Sequence, residues 1–252
     1  MTINERITAL RKVMQEEGIS IYLIPSNDYH ASEYVCDYFK AREFMSGFTG
    51  SAGTLVISHT EAILWTDGRY LIQAKKELEG SEIKLYATNF KDVPTIVEYL
   101  TKQLQSGDTL GFDGRLICAK EGNLYEKIFS KNNIKIKYQD DLINRIWSTR
   151  EELPQASAYL LDIKYAGETS LVKINKVRAQ LKKNQMSVNI ITTLDDIAWL
   201  LNIRGDDILY SPLTLAYVYL DLKNVHLFID QNKLNQELKI ELEKVRIIYH
   251  DY

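Results

Sequence analysis

The feature that most constrains the fold of this 252-residue chain is that its second half repeats its first. The run Ser187-Val188-Asn189-Ile190-Ile191 matches Ser20-Ile21-Tyr22-Leu23-Ile24, each behind an amphipathic helical pattern, and Asp195 stands where Asp28 stands, 167 residues further on. Asn202-Ile203-Arg204-Gly205-Asp206 then lies opposite Gly47-Phe48-Thr49-Gly50-Ser51, and a hairpin pattern over 216–220 and 225–229 lies opposite one over 55–66. Here the offset is 155, the difference being about the length of a polar insert around His30 to Lys40. A pattern used twice means one supersecondary unit built twice, so the chain is expected to form two related domains.

Within the first copy, Ile3, Ile7, Leu10, Val13 and Met14 recur at helical spacing before Gly18, and a β-branched run over 19–24 ends at Pro25-Ser26-Asn27-Asp28. The glycine-rich stretch 47–53 leads into strands over 55–57 and 62–66, and Asp67-Gly68 stops the second of these. A helix over 71–78, a strand over 83–87, a helix over 95–104, a strand over 109–113, a helix over 120–129 and a strand over 134–138 complete the alternation. Strands alternating with helices around a hairpin predict an α/β unit with a mixed sheet and helices on both faces. Domain I is expected over residues 1–147, a linker with two acidic residues and a proline over 148–158, and domain II over 159–252. The second copy carries nothing that matches the last two helices and strands of the first, so domain II is expected to be truncated.

Composition excludes more than it assigns. Hydrophobic residues at 45% and charged residues at 26% are those of a globular chain with a buried core. Thirty-one Lys and Arg against 34 Asp and Glu leave a net charge of −3, no electrostatic basis for a nucleic-acid or anionic-membrane partner. Two cysteines, Cys36 and Cys118, with no CxxC pairing build neither a disulfide framework nor a zinc ribbon, which suits a cytoplasmic setting. The charged N-terminus lacks the apolar core of a signal peptide, and no stretch reads as a membrane span.

Few residues carry chemistry. His30, His59, His226 and His250 are scattered, with no helical zinc-pair spacing. Paired acids at Asp140-Asp141, Asp195-Asp196 and Asp206-Asp207 read as solvated loop acids, since neighbours along a strand face opposite ways. Gly50-Ser51-Ala52-Gly53 lacks the spacing of a nucleophile elbow, and with no lysine after it the glycine run reads as a tight bend where backbone packs closely. Asp67-Gly68-Arg69-Tyr70 is sharper. An arginine directly after a strand-ending turn sits on the sheet rim, where its fork can grip a carboxylate or a peptide carbonyl, or form an ion pair with Asp67. Asp28 reads as a turn cap, and the roles of Asp28 and His30 stay open.

Pro25-Ser26 with Asp28, His30 and Ser32-Glu33-Tyr34, then Ser46-Gly47-Phe48-Thr49-Gly50-Ser51-Ala52-Gly53-Thr54, Trp65-Thr66-Asp67-Gly68-Arg69-Tyr70, Gln73-Ala74, and Leu194 to Asn202 with Arg204-Gly205 resemble the amino-terminal half of three-domain Xaa-Pro aminopeptidases. The resemblance covers essentially the whole chain and implies two tandem creatinase-type N-terminal domains. It implies a parent hydrolase that removes an N-terminal residue preceding proline, using a C-terminal pita-bread domain and two divalent metal ions, with manganese the usual metal. It assigns no catalytic residue and no metal ligand to this chain, and this part alone is expected to be inactive. Arg69 matches the arginine by which the family's first domain is thought to help hold the peptide. The implied partners are the chain's own catalytic domain and peptides with proline in second position, and the resemblance allows a homodimeric parent. The alternative is a binding module of the peptidase-like histone-chaperone type, a class that the lack of strongly charged tracts argues against.

Overall fold

The structure is a computed structural model and describes residues 1–88 and 90–252. It divides into two compact units, one of Met1–Glu33 with Asp37–Glu151, the other of Tyr34–Cys36 with Glu152–Tyr252.

The first unit opens with α1 (Ile3–Glu17), started by a reciprocal capping box between Thr2 and Glu5 and stopped by Gly18 in the left-handed conformation. There follow β1 (Ile21–Pro25), α2 (Ala41–Ser46), β2 (Thr54–Ser58), β3 (Ala62–Thr66), α3 (Leu71–Glu77), β4 (Lys84–Ala87), α4 (Ile96–Gln103), β5 (Thr109–Phe112), α5 (Ala119–Phe129) and β6 (Lys135–Lys137). The six strands form one sheet in the order β4-β3-β2-β1-β5-β6. β2 runs antiparallel to β1 and β3, and every other pairing is parallel. Alternation along the strands makes two cores. Tyr22, Ile24, Leu55, Ile57 and Leu64 face α1, α2 and α3, whereas Ile21, Leu23, Val56, Ile63 and Trp65 face α4 and α5. All ten are at most 3% exposed, and each fully buried side chain of this size contributes roughly 1.5–3 kcal/mol.

The second unit contains β7 (Tyr159–Leu160), α6 (Ile163–Ala166), α7 (Ser170–Lys183), β8 (Val188–Ile191), α8 (Leu194–Leu201), β9 (Ile203–Arg204), β10 (Tyr217–Asp221), β11 (Val225–Phe228), α9 (Gln236–Glu243) and β12 (Ile247–His250). Its main sheet runs β12-β11-β10-β8, with β10 antiparallel to both neighbours and β12 parallel to β11. That is the β4-β3-β2-β1 half of the first sheet in the same order and direction, so the repeat in the sequence is a repeat in space.

Register refines the match. β1 and β8 align at the expected 167, but the hairpins align at 163, because the bend after Arg204 is longer than its counterpart before β2. Asp195 does not repeat Asp28: it lies in the first turn of α8, whereas Asp28 lies in a loop. Helices lie on both faces of the first sheet. In the second, α7, α8 and α9 pack with Val218, Leu220, Val225 and Leu227 on one face. The positions matching Ile21, Leu23, Val56, Ile63 and Trp65 hold Val188, Ile190, Tyr219, His226 and Phe228, and Ile190 is 67% exposed.

Candidate functional site

Since β1, β3, β4, β5 and β6 run parallel, their C-terminal ends gather on one rim of the first sheet, together with the entry to β2. This is the edge where open α/β sheets bind ligands. A cleft of about 610 Å³ opens there, lined among others by Ser26, Glu33, Ser51, Asp67, Arg69 and Thr88.

Arg69 sits in a 3-10 turn over residues 68–70, and its geometry answers the choice left open by its sequence. Asp67 caps the turn by accepting from the Arg69 backbone N–H at 2.9 Å, then takes Nε at 3.0 Å and Nη2 at 2.8 Å as a fork. These hydrogen bonds from Arg69 hold the Asp67 carboxyl below its usual range, and Asp67 in turn raises the guanidinium. The plane of Arg69 also lies over the Tyr70 ring, 5.2 Å from its centroid. The ion pair with Asp67 is therefore formed, and it orients the fork on the rim without using Nη1.

The glycine run is a bend packed from inside. A Cβ on Gly50 would come within 2.3 Å of the Phe48 ring and one on Gly53 within 3.0 Å of the Trp65 carbonyl, so at these two positions a side chain would force its neighbours to shift. Arg42 holds this bend and is the residue that sequence reasoning missed. Though 5% exposed, it donates from Nε to Ser26 Oγ at 2.6 Å and from its two terminal nitrogens to the carbonyls of Phe48 and Gly50. Its ring contact is Phe48, and burial pulls its guanidinium down to about 10. Ser51 Oγ meets Tyr70 Oη at 2.8 Å, and Thr66 Oγ1 donates to the Ala52 carbonyl at 2.7 Å, tying the bend to the Arg69 turn and to β3.

Asp28 is buried and caps its own loop, with Oδ1 accepting from the backbone N–H groups of His30 and Ser32. In the second unit, Asp207, the second acid of a pair read as solvated, is instead buried. Its Oδ2 takes Lys233 Nζ at 2.6 Å, the Leu215 N–H at 2.6 Å and Thr214 Oγ1 at 3.0 Å. Among the described residues no three His, Cys, Asp or Glu side chains gather as a metal centre would require. No helix among the described residues is long and apolar enough to cross a membrane.

The comparisons with known proteins follow the two units. A profile described as Creatinase/Prolidase N-terminal domain matches residues 6–146, and a second of the same description matches 149–252. The chain belongs to the creatinase/prolidase N-terminal domain family. It is 38% identical over 251 residues to Xaa-Pro aminopeptidase 1 of Dictyostelium discoideum, covering 96% of this chain and 40% of that protein. It is 35% identical over 257 residues to aminopeptidase P2 of Arabidopsis thaliana, covering 100% of this chain and 36% of that protein. Among solved structures, it matches X-prolyl aminopeptidase from Caenorhabditis elegans at 33% identity and TM-score 0.94, over 100% of this chain and 43% of the other. That protein is described as a cytosolic enzyme with a di-nuclear active site. The chain thus spans about 40% of the length of the curated relatives it matches.

Proposed function

We propose that this chain is the non-catalytic part of a cytoplasmic Xaa-Pro aminopeptidase, in which the creatinase-type domains hold and admit the peptide while a separate domain of the same polypeptide cleaves it. The observation that carries this reading is the match of the whole chain, at 0.94, to an X-prolyl aminopeptidase structure more than twice its length. Two divalent metal ions, manganese by resemblance, would belong to that catalytic domain, where they would activate water; none of the residues described above is asked to bind them. The substrates on this reading are peptides with proline in second position, and the parent is proposed to be a homodimer. Residues 1–147 and 159–252 are proposed as its first two domains, joined by 148–158.

The role proposed for this chain is carried by Arg69. Already oriented by Asp67, its remaining N–H groups can hold a substrate carbonyl at the rim. Two assays test the proposal. Full-length protein should cleave an Xaa-Pro peptide in the presence of manganese, and residues 1–252 alone should not; cleavage by the short chain would refute it. In the full-length protein, Arg69→Ala should raise KM about tenfold, the worth of roughly one charge-assisted hydrogen bond, with metal content unchanged. Unaltered kinetics would remove Arg69 from the substrate site.

A further inference from the structure

The turn that presents Arg69 occurs a second time in the first unit. Asp113-Gly114-Arg115 follows β5 as Asp67-Gly68-Arg69 follows β3, and each triplet opens a 3-10 turn. The geometry is the same to a tenth of an ångström. Asp113 accepts from the Arg115 backbone N–H at 3.0 Å, from Nε at 3.0 Å and from Nη2 at 2.9 Å. Arg115 also lies over an aromatic ring, that of Tyr29, at 4.9 Å. Asn27 donates to the Leu116 carbonyl at 2.7 Å, and Gly114 donates its N–H to the Tyr138 carbonyl at 3.0 Å, so the turn is fixed from two sides. A Cβ on Gly114 would come within 2.9 Å of that carbonyl, which is why glycine stands there. Over half of the Arg115 side chain is exposed, its Asp113 partner is nearly buried, and among the described residues Nη1 of each arginine has no partner.

Both arginines sit on the same rim, with β2 and β1 between their strands. Three inter-strand steps of about 4.8 Å place them ~14 Å apart, the reach of roughly four residues of extended peptide. The loop from Asp28 to Glu33 runs between them, carrying Tyr29 beneath Arg115 and Glu33 in the cleft with Arg69. Each guanidinium is neutralised by its own aspartate, so its outer N–H groups suit neutral carbonyl acceptors better than they suit a second carboxylate.

We propose that Arg115 is a second main-chain recognition residue, working with Arg69 so that this rim binds extended peptides along a span of about four residues irrespective of side chain. This rests on the functional reading above and extends it from the first two residues of the substrate to those that follow.

The test is a length series, Ala-Pro-Ala through Ala-Pro-(Ala)5, in the full-length protein. Wild type should show KM falling as the peptide grows, and Arg115→Ala should raise KM about five- to tenfold for the longest peptides while leaving kcat and the tripeptide unchanged. Arg115→Lys keeps the charge but loses the fork and should behave like Arg115→Ala, with thermal midpoints confirming that both variants fold. Equal effects on short and long peptides, or none, would overturn the proposal while leaving the enzyme assignment intact. A wild type that cleaves none of them would defeat that assignment instead. The rim is then read directly from the Nε–H resonances of Arg69 and Arg115 in the 252-residue chain. Shifts of both with Ala-Pro-(Ala)5 support two-point binding, and an unmoved Arg115 signal rejects it.

Discussion

Arg42 shows how one side chain can set a loop. With its guanidinium divided between Ser26 and two carbonyls of the 47–53 bend, truncation would leave both carbonyls without donors in a dry interior. Arg42→Ala should therefore cost about 2–4 kcal/mol in urea denaturation, the sum expected for two orphaned buried acceptors. In sequence it is one of 31 basic residues, and nothing in its neighbours marks it as buried. Lys233 and Asp207 make the complementary case. Both are at most 3% exposed, and Lys233→Met alone should cost about 3–5 kcal/mol because it strands a buried carboxylate. The double variant Lys233→Met, Asp207→Leu should recover much of that loss, and a double variant as unstable as the single would show that the pair itself is stabilising.

Between elements, α1 is fastened to the far end of the sheet through Glu17. Its carboxylate accepts from Lys137 of β6 at 2.6 Å and from Arg145 at 2.7 Å, and these bonds, Lys137 first, hold its pKa below the ordinary 4.5. A depressed carboxylate stabilises the fold above 4.5, and the contribution fades as pH falls through the lower native value. Glu17→Gln should thus lower the urea midpoint at pH 7, and its gap to wild type should narrow as pH falls below 4.5. A gap that does not narrow on acidification would point to packing and not to charge. The strands themselves were legible because the period of two and the turn residues act locally: β1, β2 and β3 fall where the apolar runs and Asp67-Gly68 place them. α2 was not, since it is six residues long and lies in a polar stretch without a side-chain cap.

For the whole molecule, the exposed stretch 151–157 has no regular secondary structure and contains Glu151 and Glu152. Glutamate-specific protease should cut there first, and the 1–151 product, whose two cores are complete in themselves, should keep its circular dichroism. Early cleavage elsewhere would show that the boundary lies outside 148–158.

The amino-acid sequence by itself determined the twofold construction, the order of most strands and helices, the bend at 47–53 and the placing of Arg69 on a rim, because periodicity, turn chemistry and caps operate over a few residues. Only the tertiary structure decided that Arg42 would be a buried donor to that bend, that Asp207 would pair with Lys233, and that Arg115 would stand on the same rim as Arg69. The last of these depends on β1 lying between β2 and β5, which brings Asn27 to Leu116 and Tyr29 to Arg115 across nearly ninety positions of sequence. Contacts at that separation follow from strand order and chain closure, which no local pattern encodes.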